Sequence, residues 1–187
     1  GGRVNATCGE GAVNGITALM TTAGNGHERV VELLLQHGAE VNLQSSYGVT
    51  ALMDAAHKGH ERVVELLLQR GAAIDQQNSS GWTTLTAAAH QGQVRVVELL
   101  LRRGAEFNLQ NNKGGTALML AAVSGYSGVV RRLLRAGADT TLCTTDGNTA
   151  LQYAKGKGHA ECVRALEEHA AAEVAAEKAA AEAAWAA

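Results

Sequence analysis

Asp54, His57, His60 and His90 are the chain's one grouping of a carboxylate with imidazoles. Such a set invites two chemistries, acid–base catalysis and zinc binding. The spacing favours neither. His60 falls in a column of His27, His60, Gln93, Tyr126 and His159 that recurs at a fixed step, so it belongs to a framework. The other three have no cysteine or second histidine at helical spacing to complete the three or four ligands zinc needs. There is no phosphate-binding glycine loop, no Gly-x-Ser-x-Gly and no His-Glu-x-x-His. We expect no enzyme activity, no catalytic residue, no metal and no cofactor.

The cysteines point the same way. Cys8 stands in an irregular start, Cys143 in a turn-rich stretch, and Cys162 where other copies have Val30, Val63, Val96 and Val129, which makes it a small core residue. Asn5-Ala6-Thr7 and Asn78-Ser79-Ser80 match the glycosylation sequon, a short pattern without meaning in a cytosolic protein. A formal net charge of −2 and a pI near 6.4 give no electrostatic reason to expect nucleic acid or an anionic membrane. Arg131, Arg132 and Arg135 read as a solvated helix face. No run of 18 apolar residues and no charged leader before an apolar stretch occurs, so the chain reads as intracellular, in the cytoplasm.

What must position any site is a repeat. Gly15, Gly48, Gly81, Gly114 and Gly147 follow one another at 33 residues, each with a threonine two residues on, at Thr17, Thr50, Thr83, Thr116 and Thr149. Gly26, Gly59, Gly92, Gly125 and Gly158 keep the same step, and so do Gly38, Gly71, Gly104 and Gly137. A period of this size means stacked units, each too small to bury its apolar face alone. Thr50 can cap a short helix over Ala51–Ala56 that Gly59 ends. The next run, Glu61–Arg70, carries apolar residues at 63, 64, 66, 67 and 68, a stripe wide enough to be packed on more than one side. Gly71 stops it in the left-handed conformation, and residues 72–81 are rich in turn formers. Each unit is therefore helix, turn, helix and a hairpin-like finger.

The Gly-x-Thr-Ala-Leu opening, the Ala-Ala…Gly-His middle and the Val-Val-Glu-Leu-Leu-Leu…Gly-Ala close resemble the ankyrin repeat over residues 12–170. The resemblance implies an all-α solenoid of stacked helix-turn-helix units with fingers. Where the family has Thr-Pro-Leu-His, this chain has no proline, and Met20, Met53, Thr86, Met119 and Gln152 occupy the histidine slot. A histidine-mediated bond to the neighbouring copy cannot be assumed from that slot.

The copies span 12–44, 45–77, 78–110, 111–143 and 144–170. Residues 1–11 read as the remnant of a preceding repeat, because Gly1-Gly2-Arg3-Val4-Asn5 parallels Gly38-Ala39-Glu40-Val41-Asn42. In the last copy Glu167 stands where Leu35, Leu68, Leu101 and Leu134 stand before it, a polar cap, and Ala170 replaces the stop glycine. The last helix should run on through an Ala-rich extension, 171–187. Its stripe of Val163, Leu166, Ala170, Val174, Ala181 and Trp185 suits a spacer or a folded-back cap better than a dimer seam, although Trp185 keeps weak self-association of an otherwise monomeric chain in play.

Stacking uses the repeated columns, so recognition must lie where copies differ on exposed slots. The resemblance implies that fingers and first helices form the partner-binding face. On it the sequence places Tyr47, Val49, Asp54, His57, Lys58, Ser80, Trp82, His90, Gln91, Lys113, Leu120 and Val123. Trp82 and Tyr47 are the residue types enriched at interface hot spots. The expectation is a non-enzymatic module binding a protein partner, with no nucleic acid and no membrane. Two rivals stand beside it, a regulatory or substrate-recruiting fragment of a larger protein and a homo-oligomer through the Ala-rich helix.

Overall fold

A computed structural model describes residues 4–6 and 15–185. The readings made of Gly1–Arg3, of Thr7, Cys8 and the insertion before Gly15, and of Ala186 and Ala187 lie outside those residues. The described part holds ten helices, α1 (Ala18–Gly24), α2 (Glu28–Gln36), α3 (Ala51–Lys58), α4 (Glu61–Gln69), α5 (Thr84–His90), α6 (Val94–Arg102), α7 (Ala117–Ser124), α8 (Ser127–Arg135), α9 (Ala150–Lys157) and α10 (Ala160–Trp185). They form an all-α solenoid. Odd-numbered helices pack on one another in one row and even-numbered helices in a second.

Each odd helix begins at its threonine. The hydroxyls of Thr17, Thr50, Thr83, Thr116 and Thr149 accept from the N–H three residues on, at 3.2 to 3.4 Å. Three copies use the family's histidine slot to close the box, the first through Met20 Sδ, which accepts from the Thr17 N–H at 3.5 Å. Thr86 Oγ1 accepts from the Thr83 N–H at 2.8 Å, and Gln152 Oε1 from the Thr149 N–H at 2.7 Å. Met53 and Met119 fill that slot by burial instead. In the first four copies both helices end on a left-handed glycine. After α3 the His60 N–H reaches the Ala55 carbonyl at 2.9 Å, and after α4 the Ala72 N–H reaches that of Leu67 at 3.0 Å.

Small residues line the odd row, where Ala55, Ala56, Ala88, Ala89, Ala121 and Ala122 are fully buried, while valines and leucines fill the space behind them. The column read as framework has a defined task. His60 donates its Nε2–H to the Gly24 carbonyl at 3.0 Å, Gln93 donates to that of His57 at 3.2 Å, and His159 to that of Val123 at 3.1 Å. Each lies over a glycine of the preceding copy. A Cβ on Gly26, Gly59, Gly92 or Gly125 would stand 2.6, 2.4, 2.5 or 2.8 Å from it, Tyr126 occupying the third place by shape alone.

The fingers stack the same way. Ser45, Asn78, Asn111 and Thr144 donate their N–H across the turn to Val49, Trp82, Gly115 and Asn148. The Ser79 N–H donates to the Tyr47 carbonyl at 3.0 Å, Asn112 to Ser80 at 3.1 Å and Thr145 to Lys113 at 3.0 Å. Gln44, Gln77 and Gln110 add a side-chain latch, each donating Nε2 both to its own finger and to the backbone one copy on. Cys143 ends that column. Asn5 joins the pattern from the other end, its Oδ1 accepting from the Glu40 N–H at 2.9 Å as Asn42 accepts from Ala73 at 2.8 Å.

Helix α10 packs only at its start, through buried Cys162, Ala165 and Leu166 and a Lys155–Glu167 pair at 2.8 Å. From Ala170 to Trp185 every residue is exposed, so a folded-back cap does not form; alanines offer too little area to hold the helix against its neighbours. The extension reaches about 24 Å beyond that point at 1.5 Å per residue. Two of the three clustered arginines pair between copies, Arg131 with Glu161 at 3.1 Å and Arg132 with Glu98 at 3.5 Å.

Candidate functional site

The face made by the fingers and odd helices carries two adjoining hollows, and Trp82 lines both. Each exists because one slot is empty. In the column Val49, Trp82, Gly115, Asn148 the fourth copy supplies no side chain, and the space beside the indole becomes a cavity of about 550 Å³. Met119, Leu120, Val123 and Tyr153 give it an apolar floor and far wall. In the column Thr21, Asp54, Ala87, Leu120, Tyr153 the third copy supplies only a methyl group, leaving a hollow of about 320 Å³ between Asp54 and Trp82. Val49, Met53, His57, His90 and Gln91 complete it.

The finger fixes the indole. Asn78 Oδ1 accepts from the N–H groups of both Ser80 and Trp82 at 2.9 Å, an Asx turn that sets the backbone from which the ring projects. Asn111 Oδ1 does the same for Lys113 and Gly115 at 2.9 Å. Trp82 then meets His90, at the end of α5, in a T-shaped contact with centroids 5.2 Å apart. On the far side Tyr153 Oη lies 3.1 Å from Thr144 Oγ1, tying α9 to its own finger.

Ten of the twelve residues expected from sequence line these hollows. Val49, Asp54, His57, His90 and Gln91 line the smaller, Ser80, Lys113, Leu120 and Val123 the larger, and Trp82 both. Tyr47 and Lys58 line neither. Tyr47 is 63% exposed at a finger tip, and Lys58 is exposed at the end of α3. Asp54 and Lys58 stand four residues apart on α3, and among the described residues no ion pair joins them. Sequence reasoning left out Met53, Met119, Asn78, Asn111 and Tyr153. The methionines stood in a framework slot; the asparagines, at the first place of each finger, had an Asn-x-x-Gly signal that could have flagged them.

The electrostatics of the smaller hollow are unusual. Burial pushes the Asp54 carboxyl above its ordinary value, outweighing the opposite pull of Lys58. Burial holds His57 below the ordinary imidazole value, and Lys58 and His90 push it further down. At neutral pH the imidazole of His57 is thus kept uncharged beside a half-buried carboxylate.

The family profile described as ankyrin repeats matches this chain in three stretches, residues 2–78, 70–142 and 126–186. The chain belongs to the ankyrin repeat family. Ankyrin repeats are generally protein–protein interaction modules and not enzymes. No curated protein matches the chain. Among the described residues of this ankyrin-repeat chain, no helix is long and apolar enough to cross a membrane. Among the same residues, no group of three His, Cys, Asp or Glu is placed to hold a metal ion.

Proposed function

We propose that this chain is a non-enzymatic interaction module that binds a protein partner on the face formed by its fingers and odd helices, with Trp82 at the centre. The observation that carries this is the pair of hollows sharing one indole. Stacked copies of equal sequence make an even surface; here Ala87 and Gly115 break it on either side of a half-buried tryptophan. Concave apolar space with a few polar groups around an aromatic anchor is the arrangement in which interface energy concentrates. Residues 12–170 make up the module, and α10 projects from it beyond Ala170 as far as Trp185. The Asn5–Glu40 bond supports reading residues 1–11 as the remnant of a further repeat. The free thiols of Cys143 and Cys162 fit a reducing, intracellular setting.

Affinity capture from the source lysate tests the reading, with the chain and a folded Tyr47→Ser, Trp82→Ser, His90→Ser variant as baits. A protein held by the first and lost by the second supports the face. Equal recovery on both baits overturns it. One observation favours a second reading. Trp185 is 93% exposed and Val174 66% exposed on α10, which suits a helix that meets another chain or a neighbouring domain. Sedimentation over a concentration series decides the self-association form of that reading, since a monomer throughout ends it.

A further inference from the structure

The smaller hollow is chemically lopsided. Asp54 is the one carboxylate among the residues lining it, and no lysine or arginine lines it. Among the described residues no hydrogen bond or ion pair engages that carboxylate, and the pull of Lys58, one turn further along α3, is outweighed by burial. A half-buried anion without a hydrogen-bonded partner costs stability, and a cation brought by a partner would offset that cost. Beside it stands Trp82, whose ring attracts cations. His57, kept uncharged by its surroundings, does not fill the role of counter-ion.

We propose that the partner inserts an arginine side chain into the hollow lined by Asp54 and Trp82. The inference rests on the reading of this face as the binding face. Guanidinium fits better than ammonium, because it is planar, weakly hydrated, stacks on aromatic rings and pairs with a carboxylate through two N–H groups. Gln91 lines the same space and offers its side-chain carbonyl oxygen to a remaining donor.

The chain has two tryptophans, so its amide spectrum carries two indole N–H signals, and exposed Trp185 serves as the internal reference. The probe is N-acetyl-arginine amide titrated into the full chain, with the citrulline analogue, equal in shape but uncharged, and the lysine analogue alongside. The expected result is a saturable shift of the Trp82 signal by arginine with Trp185 unmoved. Citrulline should bind about tenfold more weakly or worse, as should arginine to Asp54→Asn, the loss expected of a charge-assisted hydrogen bond. Lysine should fall between. No saturable shift at Trp82, equal binding of arginine and citrulline, lysine binding as tightly as arginine, or an unchanged affinity in Asp54→Asn each overturns the assignment. The two readings fail separately. A captured partner lost with Trp82→Ser but kept by Asp54→Asn leaves the face standing and removes the arginine, whereas a partner indifferent to both removes the face as well.

Discussion

The indole of Trp82 and the imidazole of His90 meet edge to face, centroids 5.2 Å apart and planes at 75°. The contact ties the base of a finger to the last residue of the helix it precedes. It makes Trp82 a fixed wall between two hollows, half-buried yet facing the space a partner would enter.

The two aromatics of this face should therefore behave differently. Tyr47, 63% exposed, should change stability by no more than about 0.5 kcal/mol when replaced by serine. Trp82→Ser should cost about 1–2 kcal/mol, since an aromatic pair and part of the indole's burial are lost together. Urea denaturation of both variants checks this, and equal midpoints would show that the His90 contact holds nothing.

Asp54→Asn should stabilise the fold at neutral pH. Burial raises the folded-state pKa above the ordinary 3.8 despite the opposing pull of Lys58, so between the two values the folded chain holds more protons than the unfolded. That contribution is present below pH 3.8 and is lost as pH rises through the folded value, which leaves the ionised group a cost at neutrality. Urea midpoints of the variant and the parent should differ at neutral pH and converge in acid. His57 has the opposite sign. Its pKa lies below 6.5 through burial first, then Lys58 and His90, so its contribution is lost as pH falls through the lowered value, and comparing variant with parent cancels it.

Gly71 and Gly81 share a left-handed backbone, with φ of +83° and +77°, but not a neighbourhood. A Cβ on Gly71 meets nothing within 4 Å, whereas on Gly81 it stands 2.8 Å from the Asn112 backbone N and 2.9 Å from Asn111 Cα. Gly71→Ala should cost about 1–2 kcal/mol from backbone strain alone. Gly81→Ala should cost clearly more, because the next finger must move. Thermal melts of the pair decide it, and equal losses would show that the fingers yield freely.

Thr84 fills the slot that holds Ala18, Ala51, Ala117 and Ala150 in the other copies, fully buried and with no partner for Oγ1. Thr84→Val keeps the shape and removes the stranded hydroxyl. It should raise stability by about 1 kcal/mol, the low end of the cost of such a group. A drop in the urea midpoint would mean that the hydroxyl is served.

The framework was legible because it repeats. Five threonines at one step can hardly be anything but caps, and Gly59 and Gly71 read as helix stops because each closes an apolar run. The site was legible only in part, because a hollow is defined by what is missing. Ala87 and Gly115 look unremarkable in a row of letters, yet their smallness creates both cavities. Met53 and Met119 were read as filling a framework slot, although they also line the hollows. The extension was legible in part. Its stripe through Val174 and Trp185 left a spacer and a folded-back cap equally open, and the exposed run from Ala170 to Trp185 fits the spacer.

The central claim is that a protein partner sits against Trp82 on the finger face. The most direct measurement places a photoreactive benzoylphenylalanine at Lys113, beside the larger hollow, and in a second chain at Arg62 on the even-helix row, with irradiation in the source lysate. The account predicts a covalent adduct from position 113, none from position 62, and loss of the adduct when Trp82→Ser is added. An adduct from position 62 with position 113 silent would contradict it.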